Sequence, residues 1–214
     1  RNAKGTHRAL SRAREFGYIV SKNTTETCWM LKCDIRKFFE NIDHDILIEI
    51  LSKYIEDKNT RWLLVGIIRS FSSAPGRGLP LGNLTSQLFV NIYMNEFDQH
   101  IKHGLKAKYY IRYADDFVIL SQDKSWLKEL TFKIGDYLSE RLKLGLHPNK
   151  VYIKTVSSGV DFLGWVHFPK HRVLRTATKR RMIRRLAESN KPETRNSYLG
   201  LLKYGNTNKI KINI

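Results

Sequence analysis

Carboxylates are scarce in this chain: 20 Asp and Glu stand against 38 Lys and Arg, for a formal charge of +18. That excess is far beyond what solubility needs and argues against an unspecialised solvated surface; it predicts a polyanionic partner. Long apolar runs are also missing. None approaches the ~20 residues that a spanning helix needs, and no charged start, apolar core and small-residue cleavage site opens the chain. The expectation is a soluble intracellular protein with no membrane partner. Cysteine is nearly absent. Cys28 and Cys33 are too few for a disulfide framework, and their spacing fits neither a C-x-x-C redox motif nor a zinc ribbon, so they read as reduced structural thiols. His100 and His103 share a helix face, but beside Lys102 at a helix end they read as exposed residues rather than metal ligands.

Aromatic residues are plentiful, with ten Tyr, ten Phe and four Trp available for stacking, which favours nucleic acid over membrane as the polyanion. The 214 residues, 42% of them hydrophobic, have room for one or two compact units. The chain is organised around the stretch from Ile111 to Leu120, where Asp115 and Asp116 interrupt an apolar and aromatic run. The pattern predicts strand, tight turn, strand, with the two acids at or beside the turn. At ~4 Å and an effective dielectric of ~20, two such anions repel by about 4 kcal/mol unless a cation offsets them. A divalent metal is the obvious cation. A plain polar turn is the commoner meaning of Asp-Asp in an arbitrary chain, so the choice rests on a third carboxylate and a nucleotide pocket elsewhere.

Along the chain, residues 1–22 form a basic loop and a helix from near Thr6 with Arg8, Arg12 and Arg14 on its polar surface. Beginning on Arg1-Asn2 rather than Met, the sequence reads as an excerpt. Thr27–Asp34 is a predicted strand ending in a carboxylate, a rigid mount for a metal ligand. Asp43 is a candidate N-cap for a helix bearing Ile46, Leu47, Ile50, Leu51 and Tyr54. A helix near 59–71 is expected to bury Trp62, Leu63, Val65, Ile67 and Ile68. After the glycine- and proline-rich segment 72–81, a long helix carries the stripe Leu84, Leu88, Ile92, Phe97 and Ile101. Gly82, opening that helix, permits close approach of backbone N–H groups to a phosphate or base pair, although a plain connector is the commoner meaning. A helix near 124–140, a strand 151–156 and the strand-forming run 160–166 follow. The order predicts an α+β sheet with helices packed on one face. Beyond Thr176, Lys179, Arg180, Arg181, Arg184 and Arg185 stud a basic helix, followed by another near 193–203; this small helical domain is expected to lie on a phosphate backbone.

Together these pieces resemble the palm and thumb of a reverse transcriptase. Tyr113-Ala114-Asp115-Asp116 resembles the catalytic YxDD box and Asp34 to Phe39 the first catalytic motif. Gly82 to Gln87 resembles the template and nucleotide loop, Lys150 the basic residue of the following motif, and Phe162-Leu163-Gly164-Trp165 the primer grip. The boxes occur in the family's order over most of the chain. Lys4-Gly5-Thr6-His7 and Ser197-Tyr198-Leu199-Gly200 are most similar to bacterial relatives of group II intron reverse transcriptases. The resemblance implies a right-hand polymerase palm, an antiparallel sheet packed on helices, at 27–170 with a helical insertion near 43–80. It implies partial fingers at 1–26 and part of a helical thumb at 171–214. In that family a fingers hairpin with triphosphate-binding residues precedes the point where this chain starts.

The resemblance further implies that Asp34, Asp115 and Asp116, with the backbone carbonyl of Ile35, hold two Mg²⁺ ions ~3.5–4 Å apart, with Mn²⁺ as an alternative. Phe39 selects deoxynucleotides by crowding a 2′-hydroxyl while Phe38 fills the core. Leu81, Gly82, Gln87 and Lys150 face the nucleotide, Phe162 to Trp165 position the primer, and Arg8, Arg12, Lys179, Arg180, Arg184 and Arg185 contact nucleic acid. The implied partners are an RNA template, a DNA primer and dNTPs, with a basic accessory protein or a retroelement RNA, in a bacterial or phage-encoded cytoplasmic protein. One departure stands out. Most relatives carry Gln-Gly-x-x-x-Ser-Pro where this chain has Leu81-Gly82-Asn83-Leu84-Thr85-Ser86-Gln87, a form that resembles the adenine-error-prone enzymes of diversity-generating retroelements. Two other classes compete: an RNA-binding or antiviral module whose main role is ribonucleoprotein assembly, and an RNA-templated RNA polymerase, against which Phe39 argues.

Overall fold

The computed structural model describes residues 5–189 and 191–207. Arg1, Asn2, Lys4 of the Lys-Gly-Thr-His opening and residues 208–214 of the expected thumb lie outside the described residues. Seven helices and seven strands are used below in this order: α1 (Thr6–Val20), β1 (Trp29–Asp34), α2 (His44–Ser52), α3 (Lys58–Arg69), α4 (Leu84–Gln99), β2 (Tyr110–Tyr113), β3 (Asp116–Ser121), α5 (Lys124–Leu142), β4 (Tyr152–Thr155), β5 (Val160–Phe162), β6 (Trp165–His167), β7 (Arg172–Leu174), α6 (Thr176–Glu188) and α7 (Pro192–Leu202). One sheet has the order β2-β3-β1-β4 and a second the order β5-β6-β7. The chain groups into two compact units, one of residues 33–117 and 125–152, the other of residues 1–32, 118–124 and 153–214.

In the first of these units, short polar side chains start the helices. Asp43 accepts from the amides of Asp45 and Ile46 at 3.1 and 3.2 Å, as the capping pattern predicts. Asp57 caps α3 through Thr60 at 2.6 Å and Asn83 caps α4 through Thr85 at 3.1 Å. Phe97 centres the aromatic core, its ring 5.2 Å from Phe117 and 6.3 Å from Tyr110, both edge-on. The buried Tyr93 hydroxyl donates to the Leu142 carbonyl at 2.6 Å and ties α4 to the end of α5.

Two expected faces are corrected. On α3 only Ile68 is buried; Trp62 is 79% exposed, and Leu63 and Ile67 are also on the surface. On α4 the inward face is Phe89, Val90, Tyr93, Met94 and Phe97, while Leu84 and Leu88 point out. On α4 the two competing stripes both have helical spacing. The aromatic stripe buries more area per residue, and burial near ~25 cal/mol per Å² decides which face turns inward.

In the second unit, β5 and β6 form a hairpin in which Phe162 pairs Trp165, and Leu163 and Gly164 make the turn with φ of 53° and 81°. Two consecutive positive φ values are what a two-residue turn needs to match strand twist. β7, absent from the sequence-based expectation, pairs β6 with Trp165 opposite Leu174. Leu10, Trp165, Leu174, Met182 and Leu202 make one core cluster, so α1 shares its packing with α6 and α7. Met182 is the buried residue of α6, whose cations stay exposed. Cys28 and Cys33 are free and buried, and burial pushes the Cys28 thiol up to about 12.

Candidate active site

Asp34 closes β1, and the chain beyond it is held residue by residue. The Asp34 carbonyl accepts from the His147 amide at 2.8 Å, the Ile35 amide donates to the Asp115 carbonyl at 3.1 Å, and the Arg36 amide donates to the Gly145 carbonyl at 2.9 Å. The end of β1 is thereby fixed to the loop that carries Lys150 on one side and to the acidic turn on the other. The Asp34 side chain is 14% exposed, and the Lys150 ammonium lies 3.2 and 3.3 Å from its two oxygens. Lys150 was expected to face the nucleotide; the structure places it on the first carboxylate.

The turn falls on Ala114 and Asp115 and Asp116 opens β3, so the two acids lie at and beside the turn, as expected. Ala114 has φ of 54°, a conformation that costs a non-glycine residue about 1 kcal/mol or more. Behind the turn sits a buried polar group. Arg112 donates Nε to Asp98 Oδ1 and Nη2 to Asp98 Oδ2, each at 2.7 Å, and Nη1 to the Ala114 carbonyl at 3.0 Å. The Tyr110 hydroxyl adds a 2.7 Å bond to Asp98 Oδ1. Burial, reinforced by the Asp98 charge, pushes the Tyr110 pKa well above its ordinary value; Arg112 is buried too, but its bonds to Asp98 hold its pKa above normal. Sequence reasoning gave Asp98, Tyr110 and Arg112 no role. The signal available was Arg112 itself, a fixed cation inside an apolar strand that has to find an anion.

Phe38 is buried, as expected of a core aromatic, and Phe39 is half-buried at the start of a 3₁₀ turn over Phe39–Asn41. The Leu79 amide donates to the Phe39 carbonyl at 2.8 Å and the Gly78 amide to Ile42 at 2.8 Å, docking the 72–81 segment on this turn. Gly78, at φ 104°, is required there, because an added Cβ would meet Ser73 Oγ at 2.3 Å. Leu81 is 76% exposed, and Gly82 and Gln87 are exposed as well. All three are therefore available to a ligand.

In the other unit, the four expected grip residues divide. Phe162 and Trp165 are buried and build the hairpin, while Leu163 and Gly164 form its turn; the Gly164 carbonyl accepts from the Arg175 amide at 3.0 Å. Arg8, Arg12, Lys179, Arg180, Arg184 and Arg185 are exposed. Arg12 is partly engaged, 3.8 Å from Glu15 and stacked over Phe16, and Arg184 lies 3.8 Å from Glu188.

Among the described residues, no three His, Cys, Asp or Glu side chains gather into a group able to hold a metal. The arrangement instead offers Asp34 at a strand end and the acidic turn tied to its neighbour Ile35. Mg²⁺ is characteristically held by one or two carboxylates, with water and substrate phosphates filling the other positions. This all-oxygen set fits such an ion, and Asp34 already binds a cation, the Lys150 ammonium.

Comparison with known proteins gives the same direction. The family described as Reverse transcriptase (RNA-dependent DNA polymerase) matches residues 4–167. Protein YkfC of Escherichia coli is 27% identical, over 71% of this chain and 48% of its own length. The group II intron-encoded protein LtrA of Lactococcus lactis is 25% identical, over 64% of this chain and 34% of its own. Apo telomerase from Candida tropicalis truncated of its C-terminal domain superposes with a TM-score of 0.61 at 17% identity, covering 80% of this chain and 40% of that one. Telomerase from Candida albicans, in complex with a fragment of telomeric RNA, gives 0.62 at 12% identity, over 80% and 35%. The chain spans about half the length of YkfC and about a third of that of LtrA.

Proposed function

Because this chain belongs to the reverse transcriptase family, we propose that it carries the catalytic centre of an RNA-directed DNA polymerase, which adds dNTPs to a primer annealed to an RNA template. The fold is that of a right-hand polymerase, and enzymes of this family depend on a divalent metal. The observation that carries the reading is the 3.1 Å bond from the Ile35 amide to the Asp115 carbonyl, which sets the Tyr113–Asp116 box beside the carboxylate that ends β1. We assign the palm to residues 27–170, partial fingers to 1–26 and part of a thumb to 171–214.

In the reaction, the primer 3′-hydroxyl gives up its proton and forms a new P–O bond to the α-phosphorus, while the bond to the β-phosphate oxygen breaks and pyrophosphate leaves. Asp34, Asp115 and Asp116, with the Ile35 carbonyl, would hold two Mg²⁺, or Mn²⁺ in their place, and such ions would supply charge neutralisation for the phosphoryl transfer. Phe39, held by the Leu79 amide on its carbonyl, lies against the sugar and excludes a 2′-hydroxyl. Lys150, released from Asp34, pairs with the triphosphate. The exposed Leu81, Gly82 and Gln87 line the template and nucleotide surface, the Leu163-Gly164 turn steers the primer end, and the cations of α1 and α6 hold the duplex backbone. Leu81 in place of an amide makes the enzyme error-prone opposite adenine, as in diversity-generating retroelements. The whole protein works in a bacterial or phage-encoded cytoplasmic setting with a retroelement RNA or a basic accessory protein.

Extension of a DNA primer on an RNA template, comparing dNTPs with rNTPs and Mg²⁺ with a chelator, tests this directly. Extension with dNTPs and Mg²⁺ alone is expected. RNA retained on a filter with no extension under any condition would replace the reading with an RNA-binding module, and preference for rNTPs would make it an RNA polymerase.

A further inference from the structure

The Asp98–Arg112–Tyr110 group is a buried, hydrogen-bonded ion pair beside the acidic turn. A buried ion pair contributes little net stability compared with apolar residues of the same volume, because both charges lose their water. Here Asp98 receives three bonds, two from the Arg112 fork and one from Tyr110. Arg112 nevertheless spends its third nitrogen outside the pair, on the carbonyl of Ala114. That carbonyl belongs to the peptide leading into Asp115, and Ala114 is in the left-handed region at φ 54°. The next carbonyl, that of Asp115, accepts from the Ile35 amide. Two successive peptide carbonyls are thus anchored, one through Arg112 to α4 and one to the residue after Asp34. The peptides on either side of Asp115 are each held by a hydrogen bond, which restrains its backbone.

We propose that Arg112, oriented by Asp98 and Tyr110, is a positioning residue that locks the Ala114–Asp115 turn so that the Asp115 carboxylate stays directed at the end of β1. The inference rests on the metal-site reading above and adds to it the device that sets the spacing of its carboxylates. A lysine cannot replace this arginine, because one ammonium cannot span both Asp98 oxygens and the Ala114 carbonyl in the fixed fork geometry. Supporting residues behind metal-binding side chains typically alter metal affinity or activity by about 10- to 100-fold when lost.

The test uses two variants of the protein: Arg112→Lys, and the apolar triple Asp98→Leu/Arg112→Met/Tyr110→Phe, which leaves no unpaired buried charge. Melting temperature, Mn²⁺ affinity by the loss of free-ion paramagnetic signal, and kcat and KM for dNTP are measured on each. The triple variant is expected to melt close to wild type, to bind Mn²⁺ about 10- to 100-fold more weakly, and to lose kcat while KM for dNTP is nearly kept. Arg112→Lys is expected to show the same loss of Mn²⁺ affinity, and it decides the matter if the triple variant does not fold. Wild-type Mn²⁺ affinity and kcat in either folded variant would overturn the proposal and leave the group a packing device. An Asp34→Asn control separates the two ideas: unchanged Mn²⁺ binding there would overturn the metal-site reading itself, and the positioning role with it.

Discussion

Replacing Lys150 with Ala should tighten divalent-metal binding while slowing synthesis, two changes of opposite sign from one substitution. The Lys150 ammonium lies 3.2 and 3.3 Å from the two oxygens of Asp34, so a metal ion reaching that carboxylate has to displace it. In a medium of effective dielectric ~20, a pair at that distance would attract by about 5 kcal/mol. The Lys150 side chain, however, is 54% exposed, and exposed pairs are worth at most about 1 kcal/mol after solvent screening and side-chain entropy. The smaller figure governs, and it predicts a dissociation constant for Mn²⁺ about fivefold lower in Lys150→Ala at low salt. The advantage should shrink as ionic strength rises and the Debye length falls toward ~8 Å. Extension should still decline, because the triphosphate loses its proposed cation. The assay is Mn²⁺ titration by paramagnetic signal at two salt concentrations, with primer extension in parallel. Unchanged or weaker Mn²⁺ binding in Lys150→Ala would refute the idea that this ammonium occupies the metal's place on Asp34.

Phe39→Ala should raise ribonucleotide incorporation relative to deoxynucleotide in competition assays, and an unchanged ratio would make Phe39 a core residue like Phe38. Leu81→Gln should lower misincorporation opposite template adenine by about fivefold, the worth of one ~1 kcal/mol polar contact, when cDNA copied from a defined RNA is sequenced; coincident error spectra would refute the retroelement subclass. His167 is held neutral by burial and by Arg172, its pKa lowered to about 4 from an ordinary 6.5. Below pH 6.5 the unfolded chain therefore takes up a proton that the folded one refuses, and stability should fall by about 3 kcal/mol between pH 6.5 and 4. His167→Phe should flatten that part of a melting-temperature profile, and an unaltered slope would place the titrating group elsewhere.

The parts of the site that could be read from sequence are those whose chemistry is local. Asp34 at a strand end, the acidic turn and the Asp43 cap each depend on a few adjacent residues, and each lies where the pattern put it. Within the turn Asp115 sits at the corner and Asp116 beside it, and Ala114 takes the left-handed conformation. What was not legible depends on distant partners. Arg112 meets Asp98 fourteen residues away, and nothing in the spacing joins a helix end to the middle of a hairpin. The stripes on α3 and α4 show the complementary difficulty. Periodicity identifies an apolar face but not what covers it, and on α4 the aromatic stripe competed with Leu84 and Leu88 and won. β7, at three residues, is too short to leave a pattern, and its pairing with β6 depends on the second sheet being in place.

The central claim is that the carboxylates at the end of β1 and in the acidic turn perform metal-dependent nucleotidyl transfer. Its most direct measurement is single-nucleotide extension of a DNA primer on an RNA template by the wild type and by Asp115→Asn, at saturating Mg²⁺ and dNTP, with the variant's melting curve recorded alongside. The account predicts a variant that melts like the wild type, binds the primer–template as tightly and extends nothing. Extension near the wild-type rate by that folded variant would contradict it.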